Sequence, residues 1–284
     1  MDLQGRAERL VQALLARRVN SSGELRRAAR VRMGRAGAAP AGPKLRVLAL
    51  HGYLQSAAMF RSRAGALRKA LKRQCEFVFV DAPFQVDPSS LGGGVVKQCN
   101  SEEGAPQYGW WRASSDGPPR EALETAGWDQ SLQALAEVME KEGPFDGVLG
   151  FSQGGAAAAM LCAAIQQGRV EGEQFRFALL FGAFLPRDPA LREALLVQTL
   201  PVTSLHFFGQ NDALVVEART RELAECFAEG RRTVVAHPQG HCVPSLKEVR
   251  DKVKAWVAEE AAAAGSAAAG GGVAEELEAK LNVA

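Results

Sequence analysis

The stretch Gly150-Phe151-Ser152-Gln153-Gly154 fits the pattern G-x-S-x-G, in which a sharp turn from a strand into a helix lifts a serine hydroxyl into the open. Before it runs the apolar segment "DGVLGF", and after it come Gly155 and four alanines. Small residues there let the helix pack close against the strand, as that turn requires. Serine is also a common helix N-cap, so the five-residue pattern alone leaves both roles open. The strand before, the helix after and the small flanks favour the nucleophile.

A serine hydroxyl is a weak nucleophile near neutral pH and needs a histidine base that an acid orients. On such an elbow the chain order is Ser, then Asp or Glu, then His. Of the four histidines, His51 precedes the serine, and His206 lies inside "SLHFFG" as a packed strand histidine would. His237 ends the apolar run "TVVAHP", whereas His241 stands in the loop beyond Gly240, which makes His241 the expected base. The H-x-x-x-H spacing of this pair converges on a metal only along a helix, which Pro238 and Gly240 oppose, so no metal is expected. Asp212 follows Gly209 by three residues in "FGQNDALV" and is the expected acid, with Glu217 in reserve; aspartate is also an ordinary turn residue. Residues 152, 212 and 241 each follow a successive apolar run, a coincidence that separate turn and cap roles explain poorly.

Acyl transfer also needs donors for an oxyanion, normally the N–H after the nucleophile and one from the loop behind an earlier strand. Gln153 supplies the first. The second is expected from the amide of Tyr53 in "LALHGYLQS", where Gly52 permits a tight turn. The elbow serine, not Cys242 beside His241, is the expected nucleophile, since lone cysteines mostly act as small hydrophobes.

Six short apolar runs must position these groups: "LRVLAL" (45–50), "EFVFVDA" (76–82), "DGVLGF" (146–151), "FRFALLFGAF" (175–184), "SLHFFG" (204–209) and "TVVAHP" (233–238). They are almost continuously hydrophobic, and most are separated by helix-length segments such as "RAGALRKALKR". Strands buried on both faces read this way, which predicts an α/β fold with a mostly parallel sheet. In such sheets the site lies beyond the carboxyl ends of the strands. The long connection after the second run contains "QYGWWRAS", where two adjacent tryptophans cannot both face inward from a regular strand. One of Trp110 and Trp111 is therefore expected to line the substrate pocket or its mouth.

Taken together and in order, "LRVLALHGYLQSAAMFRSRAGALRKAL", "GWWRAS", "GPFDGVLGFSQGG", "FGQNDALV" and "HPQGHCVP" resemble the serine hydrolases of the FSH ("family of serine hydrolases") type over roughly residues 44–258. The resemblance implies an α/β-hydrolase fold with a Ser-Asp-His triad at Ser152, Asp212 and His241, no cofactor, and action on acyl esters or thioesters. Tyr53 stands where Phe is usual, and Gln239 where a Gly is expected before Gly240-His241. Two further activities use the same scaffold: a non-catalytic receptor that keeps the pocket, and an acyltransferase in which an alcohol replaces water.

The 34 Lys and Arg against 32 Asp and Glu carry no footprint of a nucleic-acid partner. Residues 1–43 hold nine Arg, no Lys and three acids, a net +6, which leaves a mildly acidic −4 of the total +2 to the remainder. That Arg- and Ala-rich segment reads as a flexible arm or an organelle-import segment, the hydrolase domain as 44–258, and 259–284 as an Ala/Gly linker with a short terminal helix. Five scattered cysteines without a C-x-x-C pair suit a reduced, intracellular, most simply cytoplasmic protein. No apolar run approaches the ~20 residues of a membrane span.

Overall fold

A computed structural model of the chain describes residues 44–88, 105–113 and 125–262. The expectations for 1–43 and for most of 259–284 fall outside the described residues, although the last helix runs on to residue 262, past the expected boundary at 258. Strand β1 (Leu45–Leu50) leads through helices α1 (Ala57–Arg63) and α2 (Gly65–Leu71) to β2 (Cys75–Val80). Two small antiparallel pairs follow, β3 (Phe84–Gln85) with β4 (Tyr108–Gly109) and β5 (Arg112–Ala113) with β6 (Thr125–Ala126). The chain then alternates: α3 (Trp128–Glu142), β7 (Gly147–Phe151), α4 (Gln153–Gln166), β8 (Phe177–Phe181), α5 (Pro189–Leu196), β9 (Thr203–Gly209), α6 (Glu217–Ala224), β10 (Arg232–His237) and helix α7 (247–262).

The six long strands form one parallel sheet in the order β10-β9-β8-β7-β1-β2. This is the expected α/β arrangement, with all six apolar runs recovered as strands. Alternate residues of each strand feed two cores. Leu48, Leu50, Val148, Ala178 and Leu180 meet Trp128, Leu132 and Leu161 of α3 and α4 on one face. Val47, Ala49, Leu149, Phe151, Leu179 and Phe181 meet Phe60 and Leu67 of α1 and α2, and Val249, Val253 and Val257 of α7, on the other. Helix α4 is buried from Gln153 to Ile165, which accounts for a sequence apolar all round rather than on one stripe.

Strand order reverses between β1 and β7. From β1 the chain steps outward to β2, then returns to build β7 on the other side and continues to β10. Such a switch point opens a crevice at the carboxyl ends of the two strands. Gly52 and Ser152 are the residues the chain delivers to it.

Candidate active site

Ser152 sits between β7 and α4 with φ 53° and ψ −119°, one of two non-glycine residues at positive φ among the described residues. An L-residue is strained there, and the surrounding backbone holds it. Its N–H donates to the Phe181 carbonyl at 2.9 Å, and its own carbonyl accepts from Gly155 and Ala156. The three neighbouring glycines leave no room for a side chain. A Cβ on Gly150 would lie 2.5 Å from the Gly154 carbonyl oxygen, one on Gly154 2.3 Å from those of Leu50 and His51, and one on Gly155 2.5 Å from Cβ of Ala183. Helix α4 thus starts in direct backbone contact with β1 and β7.

Asp212 lies on the turn after β9, and its side chain is almost wholly buried. One carboxylate oxygen accepts from the N–H groups of Leu214 and Val215, both at 2.8 Å, and the other meets Nδ1 of His241 at 2.7 Å. Burial pushes this carboxyl up, but the bond and charge of His241 and the two backbone donors outweigh it and hold the group below the usual aspartate value. His241 is placed by contact on both flanks. Its ring lies 4.8 Å from that of Phe151, and it rests on Gly182, where a Cβ would come within 2.9 Å of it. Because Phe151 precedes Ser152 and Gly182 follows the carbonyl that holds the Ser152 N–H, the histidine is seated beside the serine. Gly182 itself has φ +52°. Its position just past β8 is the one sequence signal for it.

The loops carrying Asp212 and His241 interlock. The Asn211 side chain donates to the Pro238 carbonyl at 2.7 Å, and the Gln210 N–H to the His237 carbonyl at 2.8 Å. His237 is buried, with its Nδ1 unpartnered among the described residues, and burial lowers its pKa. His206 is buried against the Ser204 hydroxyl and the Phe227 ring, and burial lowers its pKa to about 3, as a packed neutral histidine requires. Glu217, the reserve acid, lies on α6 in an exposed pair with Arg221 and does not reach the site. The Cys242 thiol is pushed up by burial and by the Asp212 charge, so it is a poor thiolate. No cluster of metal-ligating side chains exists among the described residues.

The turn after β1 is tied down by residues outside the G-x-S-x-G and acid–histidine motifs. His51 is fully buried; its Nδ1 donates to the Gly52 carbonyl at 2.7 Å and its Nε2 accepts from the Ala82 N–H at 3.0 Å. Burial lowers its pKa to about 4, partly countered by the Gly52 carbonyl, so the neutral ring keeps that acceptor. The Gly52 N–H is taken up by the Gln55 side chain at 3.3 Å. Leu54, the other non-glycine residue at positive φ (57°), donates to the Tyr108 carbonyl, and the Tyr108 N–H donates to the Gln55 carbonyl. The Tyr53 ring lies against Gly109, where a Cβ would approach within 2.9 Å.

Gln153 has a second use beyond its backbone. Its buried side chain accepts from the Trp110 N–H at 2.8 Å and donates to the Trp111 carbonyl at 3.2 Å. The Trp110 indole N–H donates to the His51 carbonyl at 2.8 Å, and Ser131 donates to the Trp110 carbonyl. The expectation that one tryptophan faces the pocket is corrected here. Both are 1 % exposed and belong to the core, because the chain bends at 110 and 111 between β4 and β5 instead of running as a strand.

Comparison with known proteins decides the family. The model of the family described as "Serine hydrolase (FSH1)" matches residues 41–253. The chain belongs to this serine hydrolase family. It is 38% identical to "Esterase OVCA2" of Danio rerio over 216 residues, 72% of this chain and 93% of the relative, and 38% identical to the Homo sapiens protein of that name over 72% and 92%. "Esterase C25G4.2" of Caenorhabditis elegans is 33% identical over 77% of the chain and 95% of its own length. The crystal structure of Arabidopsis thaliana SOBER1 matches with a TM-score of 0.54 at 15% identity, over 77% of this chain and 99% of that one, a likeness of fold alone. The fold is that of the α/β-hydrolases.

Proposed function

We propose that the protein hydrolyses carboxylic esters or thioesters of small acyl compounds through an acyl-enzyme on Ser152. The Ser152 hydroxyl attacks the acyl carbon while Nε2 of His241 takes its proton, and the imidazolium then delivers that proton to the departing alcohol or thiol. A water molecule, deprotonated by the same nitrogen, attacks the acyl-enzyme and frees the acid. Asp212 keeps the Nδ1–H tautomer and favours the transient imidazolium. The amides of Gln153 and Tyr53 receive the oxyanion; the first turn of a helix has no intrahelical acceptor for its N–H groups.

The observation that carries this reading is the 2.7 Å bond between Asp212 and His241, made beside a serine held at φ 53°. Turn and cap roles need neither the bond nor the strain. Relatives named esterases support the hydrolase class. The test is labelling with a fluorophosphonate probe, together with turnover of nitrophenyl esters and acyl-thioesters of graded chain length. Labelling at Ser152 and hydrolysis that both vanish in Ser152→Ala are expected. Labelling without turnover of any member of the series would point to a receptor that has kept the scaffold.

A further inference from the structure

Between residues 57 and 74 the chain carries six Arg and Lys and no acid, although the sequence beyond residue 43 is net negative. Helices α1 and α2 gather these cations against the outer edge of the sheet. Lys44, Arg61, Arg68, Lys69 and Lys72 line a cleft of about 440 Å³ at the start of β2, where Glu76 is the one carboxylate. The cleft opens at the amino ends of β1 and β2, the opposite end of the sheet from Ser152. Two of its cations are pressed together: Arg61 and Arg68 both stand over the Phe79 ring, at 5.8 and 5.7 Å, and the Arg68 guanidinium donates to the Arg61 carbonyl. Burial and the Arg61 charge both lower the Arg68 pKa.

Several surface cations elsewhere find carboxylates, as in Lys141 with Glu137, Arg192 with Glu222 and Arg232 with Glu225. The five cleft cations have no such partner among the described residues. Two ordinary explanations fall short. Charges that protect a sheet edge sit on the edge strand, yet the charged residue of β2 is Glu76. Favourable interaction with helix C-termini covers Arg61, Arg68 and Lys69 in the last turns of α1 and α2, but not Lys44. Five cations gathered around a single carboxylate, none of them ion-paired, are an arrangement that a bound anion stabilises.

We infer that this cleft binds a small ligand through a diphosphate or similarly dense phosphate group. Its volume lies within the range of about 300–1,000 Å³ typical of small-molecule sites, and paired guanidinium groups match phosphate oxygens in geometry as well as charge. The inference stands apart from the proposed hydrolysis, since none of these residues belongs to the candidate active site.

The experiment is calorimetric titration of the full chain with inorganic pyrophosphate at low ionic strength. In parallel, sedimentation is measured with phosphatidylcholine vesicles with and without phosphatidylinositol bisphosphate. Lys69 and Lys72 are exposed, so the double variant Lys69→Gln/Lys72→Gln should keep its melting temperature and its ester turnover. One-to-one pyrophosphate binding is expected, weakened about tenfold or more in that variant and unchanged by Lys141→Gln on α3. Pyrophosphate binding without vesicle binding identifies a free ligand; binding of both, with the same sensitivity, identifies a lipid headgroup. Absence of binding at millimolar pyrophosphate, equal weakening by Lys141→Gln, or vesicle binding without pyrophosphate binding would overturn the inference.

Discussion

Around Ser152 the backbone is fixed by what the side chains lack, whereas around Asp212 and His241 it is fixed by what side chains and carbonyls bond to. Gly150, Gly154 and Gly155 let α4 touch β1 and β7 directly; Asp212 and His241 bond to one another, Asp212 accepts from the Leu214 and Val215 N–H groups, and the two loops are tied by Asn211 to Pro238 and Gln210 to His237. The first region is a packing device, intolerant of volume. The second is an electrostatic device, intolerant of a changed donor or acceptor. Substitutions that keep volume should therefore spare the elbow's shape and damage the acid–histidine pair, and this contrast can be broken residue by residue.

The largest effect belongs to Ser152. Ser152→Ala should lower ester turnover by a factor on the order of 10⁶, since it removes the proposed nucleophile, while melting temperature stays near that of the native chain. Ser152→Gly should be equally inactive but more stable than the alanine variant by about 1 kcal/mol, because glycine relieves the positive φ. An alanine variant as stable as the glycine variant would mean that the elbow stores no strain.

Asp212→Asn tests the electrostatic half at nearly constant volume. The oxygen facing Leu214 and Val215 accepts two N–H groups, so the asparagine must place its own oxygen there and turn its NH₂ toward His241. That amide can only donate to Nδ1, which moves the imidazole proton to Nε2, where the base is needed. A loss of kcat on the order of 10⁴ is expected, with Asp212→Ala no worse. Near-native kcat in the asparagine variant would remove Asp212 from the mechanism.

The histidines set a third expectation. His51 and His206 have folded-state pKa values lowered by burial to about 4 and about 3, below an unfolded value of ~6.5. The unfolded chain then binds more protons, so stability must fall as pH drops below ~6.5 and level off only beneath the folded values. Each contributes roughly 3–5 kcal/mol over that window. Asp212, also lowered, adds to the loss at the acid end, as its pairing is lost when pH falls through its folded pKa. Melting curves between pH 7 and 4 should show this decline, and His206→Phe should flatten it. A pH-independent melting temperature would contradict the buried neutral imidazoles.

Much of this arrangement was legible in the sequence, for reasons of local chemistry. Strands buried on both faces write continuous apolar runs, and an elbow that demands absent side chains writes Gly150, Gly154 and Gly155 in a row with its serine. The family resemblance read from those motifs was matched by the family comparison. What escaped were contacts made across long separations. The Gln153 clamp on Trp110 and Trp111 spans more than 40 residues, and the seat of His241 on Gly182 depends on β8 and β10 flanking β9 in the sheet. The tryptophan loop was misread because a strand's alternation was applied to a segment that bends. His51 was set aside for its place in the order, although its ring carries the turn after β1.

Gln153 joins the two halves of the contrast, since its backbone belongs to the elbow and its side chain bonds outward. Gln153→Met keeps length and volume but removes both bonds to the tryptophan loop, which in turn holds the turn after β1 through Tyr108. Looser placement of the Tyr53 amide should lower kcat by about 10²-fold with KM little changed, as misplacement by ~1 Å typically does. Amide exchange at Leu54 and Tyr108 should rise in the same variant, a readout that needs no catalysis.

The smallest effect is expected at Glu217, and it is informative because a carboxylate five residues from Asp212 is the natural rival for the acid's role. Its side chain is about half exposed and pairs with Arg221 one helical turn along at 2.7 Å. Such solvent-exposed pairs contribute at most about 0.5 kcal/mol and are screened by salt. The helix that carries it begins beyond the turn that buries Asp212, so its charge faces water while Asp212 faces His241. Glu217→Gln should therefore leave kcat and KM unchanged and shift the melting temperature by no more than a degree or two. A severe loss of kcat there, with Asp212→Asn still active, would transfer the orienting role to α6 and break the electrostatic half of the comparison.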